Sequence, residues 1–142
     1  MRNMTEEEWR AFVLEGTRTG KVAVVRPDGR PHVTPVWITL DGDDLAFTTY
    51  HKGVKARALR ENPHIAICVE DDDPPFSFVS IEGEATLVDD PAESRRIATI
   101  VGGRYMGAGR AEEFGARNGV PGEYVVRVAI KKVVAQADLA DW

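Results

Sequence analysis

Cysteine is nearly absent. Cys68 is the only one in 142 residues, so no internal disulfide can form, and a reducing, cytoplasmic setting is expected. Long apolar runs are missing as well. No stretch approaches the roughly 20 residues that a membrane helix needs. The opening MRNMTEEEWR has no apolar segment behind it of the kind a secretory leader carries. Neither a membrane partner nor export is expected. Positive charge is in deficit: 18 Lys and Arg stand against 23 Asp and Glu, a net charge of −5. That balance argues against nucleic acid as a partner, because phosphate neutralisation needs a basic face.

Familiar reaction motifs are also missing. His32, His51 and His64 lie too far apart for metal-ligand spacing, and only Cys68 could join them, so no metal site is expected. No G-x-S-x-G elbow occurs. Gly102–Gly107 fits G-x-x-x-x-G, but Ala108 and Gly109 follow where a phosphate loop needs Lys and then Ser or Thr. No G-x-G-x-x-G follows a strand, which excludes the usual dinucleotide fold. Nor is there a repeat, a low-complexity tract or an interior linker. Residues 1–142 therefore read as one domain with its own core.

What is present is a series of short strands. Thr5 and Glu8 have capping-box spacing, and Trp9, Phe12 and Val13 share one face of the helix that follows. Lys21–Arg26 reads as a strand ended by the turn Pro27-Asp28-Gly29. His32–Leu40 is the next strand, Asp41-Gly42-Asp43 a hairpin turn, and Leu45–Tyr50 the third strand of a meander. Gly53–Asn62 reads as a short helix stopped by Pro63. His64–Glu70 and Phe76–Val88 are strands separated by the acidic loop Glu70–Pro75, with a bulge or bend expected at Gly83. Asp90, Pro91 and Glu93 open another helix. A glycine-rich stretch over Gly102–Gly109 and a short helix ending at Asn118-Gly119 come next. Glu123–Ile130 and Val133–Leu139 finish the chain as strands. About seven strands at hairpin spacing, with small helices at the corners, predict a mainly β, antiparallel small barrel.

One segment could carry chemistry. In Thr48-Thr49-Tyr50-His51-Lys52-Gly53-Val54-Lys55-Ala56-Arg57 a strand ends in two hydroxyl residues and a short loop enters a helix. Helix starts offer free N–H groups and a positive dipole end. Lys52, Lys55, Arg57 and Arg60 add cations within nine positions. Such parts can hold a phosphate without a glycine-rich loop. By spacing alone, an ordinary solvated basic helix face explains them equally well.

Three segments then carry a resemblance: Gly29–Trp37 (GRPHVTPVW), Phe47-Thr48-Thr49, and Lys55–Pro63 (KARALRENP). In this order they resemble the pyridoxamine-phosphate-oxidase-like split-barrel superfamily. Asp73–Val79 (DPPFSFV), Gly103–Gly107 (GRYMG) and Arg117–Glu123 (RNGVPGE) make the chain most similar to the deazaflavin (coenzyme F420)-dependent reductases of actinobacteria. The likeness runs from about Gly16 onward. It implies an FMN-binding-protein-like split β-barrel that works as a homodimer, with two cofactor sites at the subunit interface. It implies that Val33, Thr34, Pro35, Val36 and Trp37 lie along a ring system, that Thr48 and Thr49 bond the tail, and that Lys55 and Arg57, with Lys52, hold phosphate. Phe76, Phe78 and Val79 of the partner would close the ring pocket. The implied cofactor is coenzyme F420, with FMN as the alternative, and the implied activity is hydride transfer to a small unsaturated or conjugated acceptor. No catalytic acid or base can be named. A non-catalytic protein that binds a flavin or haem is the rival from another class. The chain departs from true pyridoxamine phosphate oxidases at His32 and Trp37, where those have Arg and Lys, and at Gly53-Val54, where they have Ser-Arg. Their C-terminal signature is missing too, so pyridoxamine phosphate is not the expected substrate.

Overall fold

A computed structural model describes residues 1–141. In chain order the elements are β1 (Arg2–Asn3), α1 (Glu6–Leu14), β2 (Gly20–Val25), β3 (Pro31–Val36), β4 (Thr39–Asp41), β5 (Asp44–Tyr50), α2 (Val54–Glu61), β6 (His64–Asp71), β7 (Ser77–Val88), α3 (Pro91–Met106), α4 (Ala111–Asn118) and β8 (Glu123–Ala137). A short 3-10 turn, Ala108–Arg110, precedes α4. The strands form one antiparallel sheet in the order β3-β2-β6-β7-β8-β5-β4, with β1 added beside β8. The two ends of that order, β3 and β4, are consecutive in sequence. Only Trp37 and Ile38 separate them. The sheet therefore curls into a barrel that is split along one seam, and the chain crosses the seam there.

Alternation builds the interior. Val22 and Val24, Leu45 and Phe47, Ile65, Ile67 and Val69, Val79 and Ile81, and Val126 and Val128 are all buried in one cluster. Each recurs at the two-residue period that sends side chains to one face. Helix α1 covers one end of the barrel by inserting Trp9 and Val13. Its start is fixed as the spacing predicts: Glu8 N–H donates to the Thr5 hydroxyl, and Thr5 N–H donates to the Glu8 carboxylate. Helix α3 packs on the outer side of β5 and β8, where Ile97 and Val101 meet Ala46 and Val125 in a second, smaller core.

Three expectations change. The strand expected over His32–Leu40 is two strands, because the backbone leaves the ladder at Trp37 and Ile38. There Ile38 N–H donates to the Tyr105 hydroxyl at 3.3 Å, and Arg104 donates to the Ile38 carbonyl at 2.8 Å. The two strands expected after Glu123 are one, β8. Its pairing with β7 jumps from Glu82↔Lys132 to Gly83↔Ile130, leaving Lys131 as a bulge. The bulge falls at Gly83, as expected, and needs it: a Cβ there would lie 2.4 Å from the Ala129 carbonyl oxygen. Finally, the first half of the glycine-rich stretch is helical, and α3 continues to Met106. Gly102 permits this because α4 lies against it, with Phe114 Cβ only 2.6 Å from where a Gly102 Cβ would sit.

Arg104 holds the seam. Besides Ile38 it donates to the carbonyls of Val13 at 2.7 Å, Gly16 at 3.0 Å and Arg18 at 3.2 Å. Tyr105 donates its hydroxyl to the Arg18 carbonyl at 2.7 Å. Removing these donors leaves partly buried carbonyls without partners, at about 1–3 kcal/mol each. Arg104→Ala should therefore lower the unfolding free energy by about 3 kcal/mol or more, read by urea titration. Arg104→Lys should recover only a minor part, since one ammonium cannot span four carbonyls. A loss below about 1 kcal/mol for Arg104→Ala would contradict this role.

Candidate functional site

The seam leaves the second side of β3 without a strand partner. Edge position suits this strand, since Pro31 and Pro35 have no N–H to give a ladder. Its side chains alternate. Val33 points outward and is 63% exposed, while Thr34 is half buried. Lys55 on α2 reaches across to Thr34, donating to its hydroxyl at 3.1 Å. Burial of Lys55 pushes its pKa below the ordinary lysine value. Nothing negative offsets this, because Lys55 enters no ion pair among the described residues.

Beyond Thr34 the edge strand forms one wall of a cleft of about 250 Å³. Pro35, Val36 and Trp37 face Thr48 of β5, and Phe114 and Asn118 of α4 close the other side. Trp37 is held rigidly. It stacks on Tyr105 at 5.3 Å between centroids and meets the Phe114 ring edge-on at 5.2 Å. Asn118 donates to the Thr48 hydroxyl at 3.4 Å. The lining residues carry no formal charge.

The expected residues thus do not all gather at one place. Thr34 with Lys55, and Pro35, Val36 and Trp37 with Thr48, come together around the seam. Thr49 does not join Thr48: it is buried, and adjacent strand residues point to opposite faces. Lys52 and Arg57 are exposed at the start of α2. Phe76, Phe78 and Val79 lie elsewhere, since β2 and β6 separate β7 from β3 within one chain. Val79 is fully buried in the barrel core, whereas Phe76 is 41% exposed. Phe76 also has a φ of 67°, in the left-handed region that a bulky residue rarely occupies.

Sequence reading missed Asn118 and Phe114 as lining residues. Asn118 stands in a segment that resembles the deazaflavin reductases, but nothing local says that it faces Thr48. His51 is occupied structurally, its Nδ1 lying 3.0 Å from the Gly122 carbonyl. Cys68 is half buried on a strand with its pKa raised by burial, an environment of low thiol reactivity. Asp71, at the end of β6 and paired with Arg18 at 3.3 Å, and the exposed Asp72 and Asp73 place carboxylates near one another, without a histidine or thiol.

Comparison with other proteins agrees with this geometry. No curated protein matches the sequence. Among solved structures, a conserved hypothetical protein, Rv2991, of Mycobacterium tuberculosis is 29% identical. Its TM-score is 0.84 over 95% of this chain and 86% of that one. An F420 reductase is also 29% identical, with a TM-score of 0.69 over 87% of this chain and 94% of that one. The heme storage protein HutZ of Vibrio cholerae is 19% identical with a TM-score of 0.72, covering 99% of each chain. At that identity the likeness shows the fold alone. The family model of pyridoxamine 5'-phosphate oxidase spans residues 5–137, from the cap of α1 to the last residue of β8, and the chain belongs to that family.

Proposed function

We propose that this protein is an oxidoreductase that uses the deazaflavin coenzyme F420 and delivers hydride to a small conjugated acceptor. The supporting observation is uncompensated positive charge at α2. Lys52, Lys55 and Arg57 stand within six positions, and none forms an ion pair among the described residues. The helix start beside them, Gly53, has no side-chain cap. In a chain of net charge −5, a local excess of this kind suits an anion brought from outside. The 29% identical F420 reductase supports the same choice.

Bound at this seam, the coenzyme supplies the hydride. The protein's residues supply binding and placement. Lys55 and Arg57 hold the phosphate, with Lys52 and Arg60 widening the cationic rim. The free edge of β3 offers backbone N–H and C=O groups to the rim of the ring, and Pro35 and Val36 offer apolar contact. Trp37, fixed by Tyr105 and Phe114, excludes water from one end. The uncharged lining of the cleft suits an acceptor without charge. Cations spread along a helix, rather than gathered in one cup, suit the long anionic arm of the deazaflavin better than the single phosphate of FMN.

A second copy of the chain is the occupant we assign to the outer sheet face. Two cross-strand rows there read Val33-Ala23-Ala66-Glu82-Lys132 and Pro35-Lys21-Cys68-Ser80-Val134. The central residues are small, and the apolar Val33 and Val134 are 63% and 42% exposed. A shallow hollow of about 560 Å³ lies on the same face. A partner seated there would bring its Phe76 toward a ring lying on β3.

Fluorescence titration tests the cofactor. Coenzyme F420 should bind more tightly than FMN or haemin, and Lys55→Met and Arg57→Ala should each weaken it about 10- to 100-fold, the scale of one charge-assisted hydrogen bond. Equal binding by the variants would sink the proposal, as would tighter binding of FMN or haemin.

Sedimentation should show a dimer at micromolar protein. Val33→Asp should shift it toward monomer by placing a charge in an apolar contact, and F420 affinity should fall with it. A monomeric wild type that still binds F420 would contradict the interface.

Phe76→Gly separates strain from function. Glycine adopts positive φ without cost, so stability should hold or rise by about 1 kcal/mol. F420 affinity should fall, because the ring is lost. An unchanged affinity would remove Phe76 from the site.

A further inference from the structure

We propose that the hollow between the β2–β3 turn and the start of α2 is an oxyanion site in which Arg26 and Arg57 are the donors, and His32 is the positioning residue that parks Arg26. The hollow measures about 280 Å³ and is lined by Arg26, Pro27, Asp28, Val54 and Arg57. It deepens the cofactor proposal and depends on it only for the identity of the ligand.

Two observations on Arg26 carry the inference. Its Nε is buried and is the one buried side-chain polar atom without a hydrogen-bond partner among the described residues. Such groups are rare in folded chains and ask for an explanation. Its guanidinium, moreover, has no carboxylate. The contact it makes is to His32 Nδ1, at 3.3 Å. Arg57, one turn into α2, is unpaired too, and the carboxylate of Asp28 is taken by Arg30, whose backbone N–H donates to it at 3.0 Å. The hollow therefore sets two arginines against one carboxylate, that of Asp28, whose other oxygen lies 3.9 Å from the Arg30 guanidinium.

The backbone around Arg26 is rigid. Arg26 N–H donates to the Arg30 carbonyl at 2.9 Å, and Gly29 N–H donates to the Arg26 carbonyl at 2.8 Å. Only the side chain is free to answer a ligand. An arginine offers its best two-point contact to an oxyanion through Nε and one terminal nitrogen. In the parked position Nε is shut in. Turning toward the hollow exposes it, and the unmet donor finds an acceptor. Binding thus recovers the cost of the parked state.

His32 sets when that happens. Its Nδ1 accepts from Arg26 only while the imidazole is neutral. Burial, then Arg26 and Lys55 nearby, hold its pKa below the ordinary histidine value. The charged groups that act on it are Arg26 at the turn and Lys55 on α2. As pH falls through the lowered pKa, Nδ1 stops accepting, Arg26 is released, and one more positive charge faces the hollow. Anion affinity therefore rises toward acid pH. The ligand chemistry is a carboxylate or a phosphate-type oxyanion, belonging either to the far end of the cofactor's anionic arm or to a separate small anion.

The test follows the Arg26 Nε–H resonance and calorimetric heat while sulfate, which does not titrate in this range, is added to the full chain. The resonance should move on binding, and affinity should rise as the pH is lowered below the ordinary histidine range. Arg26→Lys keeps the charge but loses Nε, and should weaken sulfate about tenfold. His32→Gln keeps an acceptor that cannot be protonated, and should bind sulfate with no pH dependence. A second arm uses coenzyme F420 and a deazaflavin truncated at its phosphate. If Arg26→Lys weakens the full-length coenzyme as well as sulfate and leaves the truncated deazaflavin unchanged, the occupant is the end of its arm. If it weakens sulfate alone, the occupant is a separate anion. Unchanged binding of all three overturns the site, even where Lys55→Met abolishes deazaflavin binding and so upholds the cofactor. Sulfate bound at Arg26 without any deazaflavin binding upholds the site and overturns the cofactor.

Discussion

Four carbonyl groups held by one guanidinium make this barrel possible. A sheet whose first and last strands are consecutive must be crossed by a linker too short to pair with either neighbour. Trp37 and Ile38 are that linker, and their backbone groups have no strand to meet. Arg104 and Tyr105, projecting from the end of α3, supply partners for both backbone groups of Ile38. Burial lowers the pKa of Arg104, yet the guanidinium remains the right group. Its planar fork donates in several directions at once, and an arginine keeps its charge under any physiological condition.

The functional geometry follows from that seam. Because β3 stays an edge, one side of it is open to a ligand. Because Tyr105 is fixed by its hydroxyl, it presents its face to Trp37, which in turn stands rigidly at the end of the cleft. Helix α2 closes the opposite end with cations, Lys55 and Arg57, that form no ion pair among the described residues. An acidic protein that gathers unpaired arginines and lysines around one open strand has an electrostatic asymmetry, which the proposed anionic cofactor would resolve. The cleft next to that cluster is lined by uncharged residues.

Local pattern made most of the fold legible. The hairpins at Pro27-Asp28-Gly29 and Asp41-Gly42-Asp43, the capped helices and the bulge at Gly83 all follow from residue types whose backbone preferences are strong. The parts that were not legible depend on distant partners. Nothing around Trp37 signals a strand break, since the groups that cause it lie almost 70 positions later. Helix through Gly102 and Gly103 opposes local propensity, and Phe114 of the next helix explains it. Lys131 is absorbed by a bulge that only the pairing with β7 reveals. In the candidate site, Lys55 and Thr34–Trp37 were singled out through family resemblance rather than through spacing. The opposite directions of Thr48 and Thr49 were available from strand periodicity alone. Arg26 was invisible because its significance lies in a missing partner, which a sequence does not display.

A crystal structure of the chain with coenzyme F420 bears most directly on the account. Phosphate oxygens should lie within hydrogen-bond distance of Lys55 Nζ, and the tricyclic ring along the open edge of β3 between two subunits. A coenzyme seated wholly between α3 and α4, or on a surface remote from Lys55 and β3, would contradict it.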